Sequence, residues 1–122
     1  MNSNGFEGLA KSLSENQQTI IYDQRGTGKS KLAKLDSTTV SMQLMVDDIE
    51  SLRKHLKIKK WNVLGHSFGG MLASYYATVY PNSIDKLILS SSGGVDLTLL
   101  ETPNLIESGL NQSQKDSLNY WN

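Results

Sequence analysis

At 122 residues the chain has the length of one domain, and its 38% hydrophobic and 20% charged residues give it the composition of a globular protein rather than a disordered one. Twelve basic residues balance twelve acidic ones, with Lys57, Lys59 and Lys60 the only basic cluster, which argues against nucleic acid or an anionic membrane as a partner. Absence of cysteine removes disulfide frames and thiolate metal sites, and no apolar run approaches the ~18 residues of a membrane span, so a cytoplasmic chain is expected.

Phe6, Leu9, Ala10 and Leu13 recur at the i, i+3, i+4, i+7 spacing of an amphipathic helix. Thr19-Ile20-Ile21-Tyr22 reads as a short strand that ends in the turn Asp23-Gln24-Arg25-Gly26-Thr27-Gly28. A polar loop follows to Thr39. Met42, Met45, Val46, Ile49, Leu52 and Leu56 then mark a second helix. Its acids (Asp47, Asp48, Glu50) come early and its bases (Arg53, Lys54, His55) late, an order that complements the helix dipole.

Trp61-Asn62-Val63-Leu64 is a buried strand running straight into Gly65-His66-Ser67-Phe68-Gly69-Gly70. A helix through Met71, Leu72, Ala73, Tyr76 and Ala77 follows, and Pro81 ends it. Ile84 to Leu89 is the next strand. Beyond Gly93-Gly94 the pattern loosens, until Ser113-Gln114-Lys115-Asp116 opens a last helix with a start like a capping box. Alternation at this spacing predicts an α/β fold, a parallel sheet flanked by helices.

Chemistry concentrates at Gly65-His66-Ser67-Phe68-Gly69, a G-x-S-x-G pattern set between a strand and a helix. Such a turn holds its serine in a strained conformation and lifts Oγ clear of the sheet. Strand and helix pass closely there, so Cβ atoms at positions 65 and 69 are expected to collide. Ser67 is the candidate nucleophile, and the Phe68 N–H at the helix start is a candidate oxyanion donor. Gly65, His66, Gly69 and Gly70 support the turn.

Together with Tyr22-Asp23-Gln24-Arg25-Gly26-Thr27-Gly28-Lys29-Ser30, this hexapeptide resembles the α/β-hydrolase superfamily, and within it the prolyl aminopeptidase (proline iminopeptidase) group. Tyr80-Pro81-Asn82-Ser83-Ile84-Asp85-Lys86-Leu87-Ile88-Leu89 adds to the likeness, which spans about Phe6 to Ser92. The resemblance implies that residues 1–96 form a partial hydrolase core containing the family's strands four to six. Residues 97–122 would begin a helical cap. It implies a serine hydrolase that cleaves a small ester, amide or N-terminal peptide bond through an acyl-enzyme, with no metal or organic cofactor.

In this family the triad runs Ser, acid, His along the chain, yet His55 and His66 both precede Ser67. Among the acids that follow, Asp96 lies just past the Ile84–Leu89 strand, where a minority of these hydrolases place theirs. The family's His-Gly-Gly-Pro-Gly loop, source of a second oxyanion N–H, has no counterpart. Neither has the strand that would separate the Thr19–Tyr22 and Trp61–Leu64 strands. The sequence therefore reads as a fragment, inactive by itself, and the alternative is a pseudo-enzyme that uses the scaffold for binding. Gly28-Lys29-Ser30 invites comparison with a phosphate-binding loop, but that motif needs glycine where Asp23 stands.

Overall fold

In a computed structural model of the chain, the structure describes residues 3–93, 111–113 and 116. A 3-10 turn over Ser3–Phe6 leads into α1 (Glu7–Leu13). Helix α2 (Met42–His55), strand β1 (Trp61–His66), helix α3 (Phe68–Val79), a second 3-10 turn (Pro81–Ser83) and strand β2 (Ile84–Ser90) follow. Asp96 and most of the expected cap lie outside the described residues. Within that segment Gln112, Ser113 and Asp116 are helical, and the Gln112 side-chain amide donates to the Asp116 carboxylate at 2.9 Å.

Helix α2 is delimited by local chemistry. The Ser41 side chain accepts the Leu44 N–H at 3.2 Å, a serine N-cap. At the other end Lys57 takes a left-handed φ of 57°. The Lys57 N–H bonds the Lys54 carbonyl at 3.0 Å and the Ile58 N–H bonds the Arg53 carbonyl at 3.1 Å, the paired bonds of a Schellman ending with lysine in the usual glycine position.

β1 and β2 pair in parallel, from Trp61 opposite Ile84 to His66 opposite Ser90, with one irregularity between Trp61 and Asn62. Helix α3 is the crossover between them, as a parallel pair requires. Met45, Val46 and Ile49 of α2 meet Leu72 and Tyr76 of α3 in the core, against which Trp61, Val63 and Ile84 of the strands are packed. Both helices therefore cover the Trp61/Val63 face of the sheet. Leu64 and Ile88 stay exposed.

Two expectations change. Thr19–Tyr22 belongs to no strand, because a strand exists only through a neighbour and the described sheet consists of β1 and β2 alone. The acids of α2 are not dipole partners. None lies in the first turn, and each is taken by a side chain from elsewhere. Asp48 holds Arg25, while Asp47 accepts the Tyr80 hydroxyl at 2.7 Å.

Glu50 is buried. It binds Arg53 through two contacts of 2.6 and 3.0 Å and accepts the Tyr76 hydroxyl at 2.8 Å. The Arg53 guanidinium beside it outweighs burial and lowers the Glu50 carboxyl to about 2. Burial, with Glu50 adding to it, raises the Tyr76 hydroxyl to about 12.

Candidate active site

Ser67 stands alone between the last residue of β1 and the first of α3, with φ 53° and ψ −124°. A side-chain-bearing residue held there costs of the order of 1–3 kcal/mol and persists only where its surroundings enforce it. The enforcement is visible. The Ser67 N–H donates to the Ser90 carbonyl at 3.1 Å, and the Ser67 carbonyl accepts the Gly70 N–H at 2.9 Å.

Close packing completes the turn. A Cβ on Gly65 would stand 2.7 Å from both the Gly69 carbonyl carbon and the Gly70 Cα, and would overlap the Gly69 carbonyl oxygen. At Gly69 itself a Cβ would meet no described atom within 4 Å, which corrects the expectation of a collision there. Gly69 contributes its backbone to the crossing, and its Cβ direction is open. The second tight position is Gly70, where a Cβ would lie 2.5 Å from the Ser92 Cβ and 3.2 Å from its Cα. Sequence reasoning missed Ser90 and Ser92. The available signal was a polar run, Ser90-Ser91-Ser92, following directly on an apolar strand.

The Ser67 side chain is exposed, and its Oγ has no hydrogen-bond partner among the described residues. The Phe68 N–H opens α3, one of the helix's unpaired N-terminal donors. The His66 ring is directed to Ser90, Nδ1 lying 3.4 Å from its Oγ, and packs edge-on against Phe6 at 5.9 Å. Histidine 55 ends α2 and is exposed. Among the described residues no three His, Cys, Asp or Glu side chains converge as metal ligands, and no helix is long and apolar enough to cross a membrane.

The Asp23–Ser30 turn is closed by bonds within itself and tied to neighbouring segments by others. Asp23 accepts the Ser3 N–H at 2.8 Å and the Lys29 N–H at 2.9 Å; the Lys29 bond is the larger cause of its lowered carboxyl pKa. The Gly26 N–H donates to the Ser30 carbonyl and the Ser30 N–H to the Thr27 carbonyl, so these amides are engaged within the turn rather than open to a phosphate. Arg25 then ties the turn to α2, with two bonds of 2.7 Å to Asp48 and one of 2.8 Å to the Thr39 carbonyl. A cavity of about 420 Å³ opens beside this turn, lined by Tyr22, Asp23, Arg25, Lys31, Asp48 and Leu52 among others. Burial, helped by Asp48, raises the Tyr22 hydroxyl there to about 12.

A parallel strand–helix–strand unit whose serine is strained at the strand–helix junction defines a class, and the comparisons agree with it. The alpha/beta hydrolase fold family matches residues 1–120, and the chain belongs to that family. It is 41% identical over 91 residues to a proline iminopeptidase of Lactobacillus crispatus, covering 73% of this chain and 31% of that protein. Among solved structures, the proline iminopeptidase of Mycobacterium smegmatis is 30% identical with a TM-score of 0.67, over 75% of this chain and 31% of the other. An esterase from Exiguobacterium antarcticum is 32% identical with a TM-score of 0.64, over 75% of this chain and 34% of the other. The chain thus spans about a third of the length of these relatives.

Proposed function

We propose that the chain carries the nucleophile of a serine hydrolase that cleaves ester or amide bonds, N-terminal peptide bonds included. The observation that carries this reading is the Ser67 backbone, strained at the junction of β1 and α3 with its Oγ exposed. In the reaction Oγ attacks the substrate carbonyl carbon and its proton passes to a base. The carbonyl electron pair moves onto oxygen, and the Phe68 N–H stabilises the resulting oxyanion. Collapse of this intermediate expels an alcohol or amine, which takes the proton, and leaves an acyl-Ser67. Water then attacks the ester and restores the serine.

Neither His55, which ends α2, nor His66, whose ring meets Ser90, is assigned the role of that base. Relatives named as proline iminopeptidase and as esterase support both bond types. Slow labelling by a fluorophosphonate, mapped to Ser67 and lost in Ser67→Ala, is the expected result. Equal labelling of the Ser67→Ala chain would overturn the assignment.

A second reading is a scaffold that binds without hydrolysing. It is favoured by the His66 ring, which is turned to Ser90 and Phe6, and by an Oγ with no partner among the described residues. A folded chain that takes no label at Ser67 supports that reading.

A further inference from the structure

We infer that Ser90 is a positioning residue for Ser67, holding the peptide link between residues 66 and 67 through two of its own atoms; this rests on the nucleophile reading above. The ladder between β1 and β2 ends where His66 faces Ser90, so Ser67 lies one residue beyond regular pairing. It also precedes α3 and gains nothing from the helix's own bonds at its N–H. Its N–H is instead fixed by the Ser90 carbonyl at 3.1 Å. On the other side of the same peptide link, the His66 ring meets the Ser90 Oγ, while Phe6 closes the far edge of the ring.

The chain beyond Ser90 explains why this residue stays in place. Ser91 has a left-handed φ of 45°, a sharp change of direction after the strand. Ser92 is then packed on Gly70 of α3, at a position where no side chain on residue 70 would fit. The run of three serines therefore closes around the turn, with Ser90 on the strand side and Ser92 on the helix side. Ser90 bonds the Ser67 backbone and meets the His66 ring, not the Ser67 Oγ. Its effect is on where the residue-67 side chain points.

The test replaces Ser67 with cysteine, because alkylation of a thiol by iodoacetamide needs no catalytic base. It therefore reads the geometry of the turn even if the serine proves unreactive to fluorophosphonate. In the Ser67→Cys chain a thiol at the start of α3 is expected to titrate below the ordinary value of about 8.5. Adding Ser90→Ala should move that titration back towards the ordinary value. It should also lower the alkylation rate at neutral pH on the order of fivefold, the factor one lost hydrogen bond supplies. Ser90→Thr, which keeps a hydroxyl, should restore the profile. His66→Phe, which removes the other partner and keeps a ring against Phe6, should reproduce the alanine result, and it serves as the test if Ser90→Ala fails to fold. Superimposable pH–rate profiles in all the folded variants would overturn the inference.

Discussion

The two faces of the sheet differ sharply. On the helix-covered face Val46 and Tyr76 have no exposed surface, whereas on the other Leu64 of β1 and Ile88 of β2 are 40% and 48% exposed. Both regions are apolar by composition, so hydrophobicity alone does not decide which of them is stabilised. What decides is whether a second layer is present to remove the side chains from water. Ser67 sits where the two regions meet. Its helix is anchored in the closed region, and its Ser90 contact lies at the end of the open one.

The largest effect that separates these regions is expected at Glu50. Replacing it with alanine leaves Arg53 in a largely buried site without its counter-charge and should cost about 4 kcal/mol in urea unfolding. A loss near zero would mean that Arg53 swings into solvent. The same carboxylate sets an acid limit. Its folded pKa is depressed from the usual 4.5 to about 2, so its stabilisation is fully present above pH 4.5 and is lost as pH falls towards 2. Glu50→Gln should flatten the stability–pH curve in that window, as thermal unfolding at stepped pH would show.

Leu72→Ala, in the closed core, should cost about 3 kcal/mol through lost burial and the cavity left behind. Tyr76→Phe removes a hydroxyl bonded to an ionised carboxylate and should cost about 1.5 kcal/mol by the same measurement. Smallest of all is Ile88→Ser on the open face, expected to change unfolding by less than about 0.5 kcal/mol. A cost comparable to that of Leu72→Ala would show that the open face is covered in solution.

Periodicity carried the helices, since burial on one helical stripe is written locally, and the two paired strands were readable as short apolar runs. α2 matches its apolar spacing, and the strand–turn–helix around Ser67 was readable because a short motif and its flanks agree. The Thr19–Tyr22 strand was not, because strand status depends on a neighbour that the sequence pattern cannot supply. Glu50 shows the same limit for charge. Its place on α2 suggested an acid complementing the helix dipole, and only the approach of Tyr76, distant in sequence, made it a buried one. At the candidate site the glycine pattern indicated crowding. The crowding falls on Gly65 and Gly70, because the chain that returns past α3 brings Ser92 to residue 70.

Glu50 also bears on how the molecule opens. Its carboxylate joins α2 to α3 through Tyr76 and to the turn before β2 through Ser83, while its partner Arg53 bonds the backbone carbonyls of Ile58 and Lys59 ahead of β1. A single ion pair therefore joins α2, the residues ahead of β1, α3 and the turn before β2, stretches that would otherwise fray one at a time. Amide protons in α2 and α3 are accordingly expected to exchange with a common opening energy, as one cooperative unit. Ser67, with its strained backbone, lies at the edge of that unit, and α3, which follows it, is expected to open only with the unit as a whole.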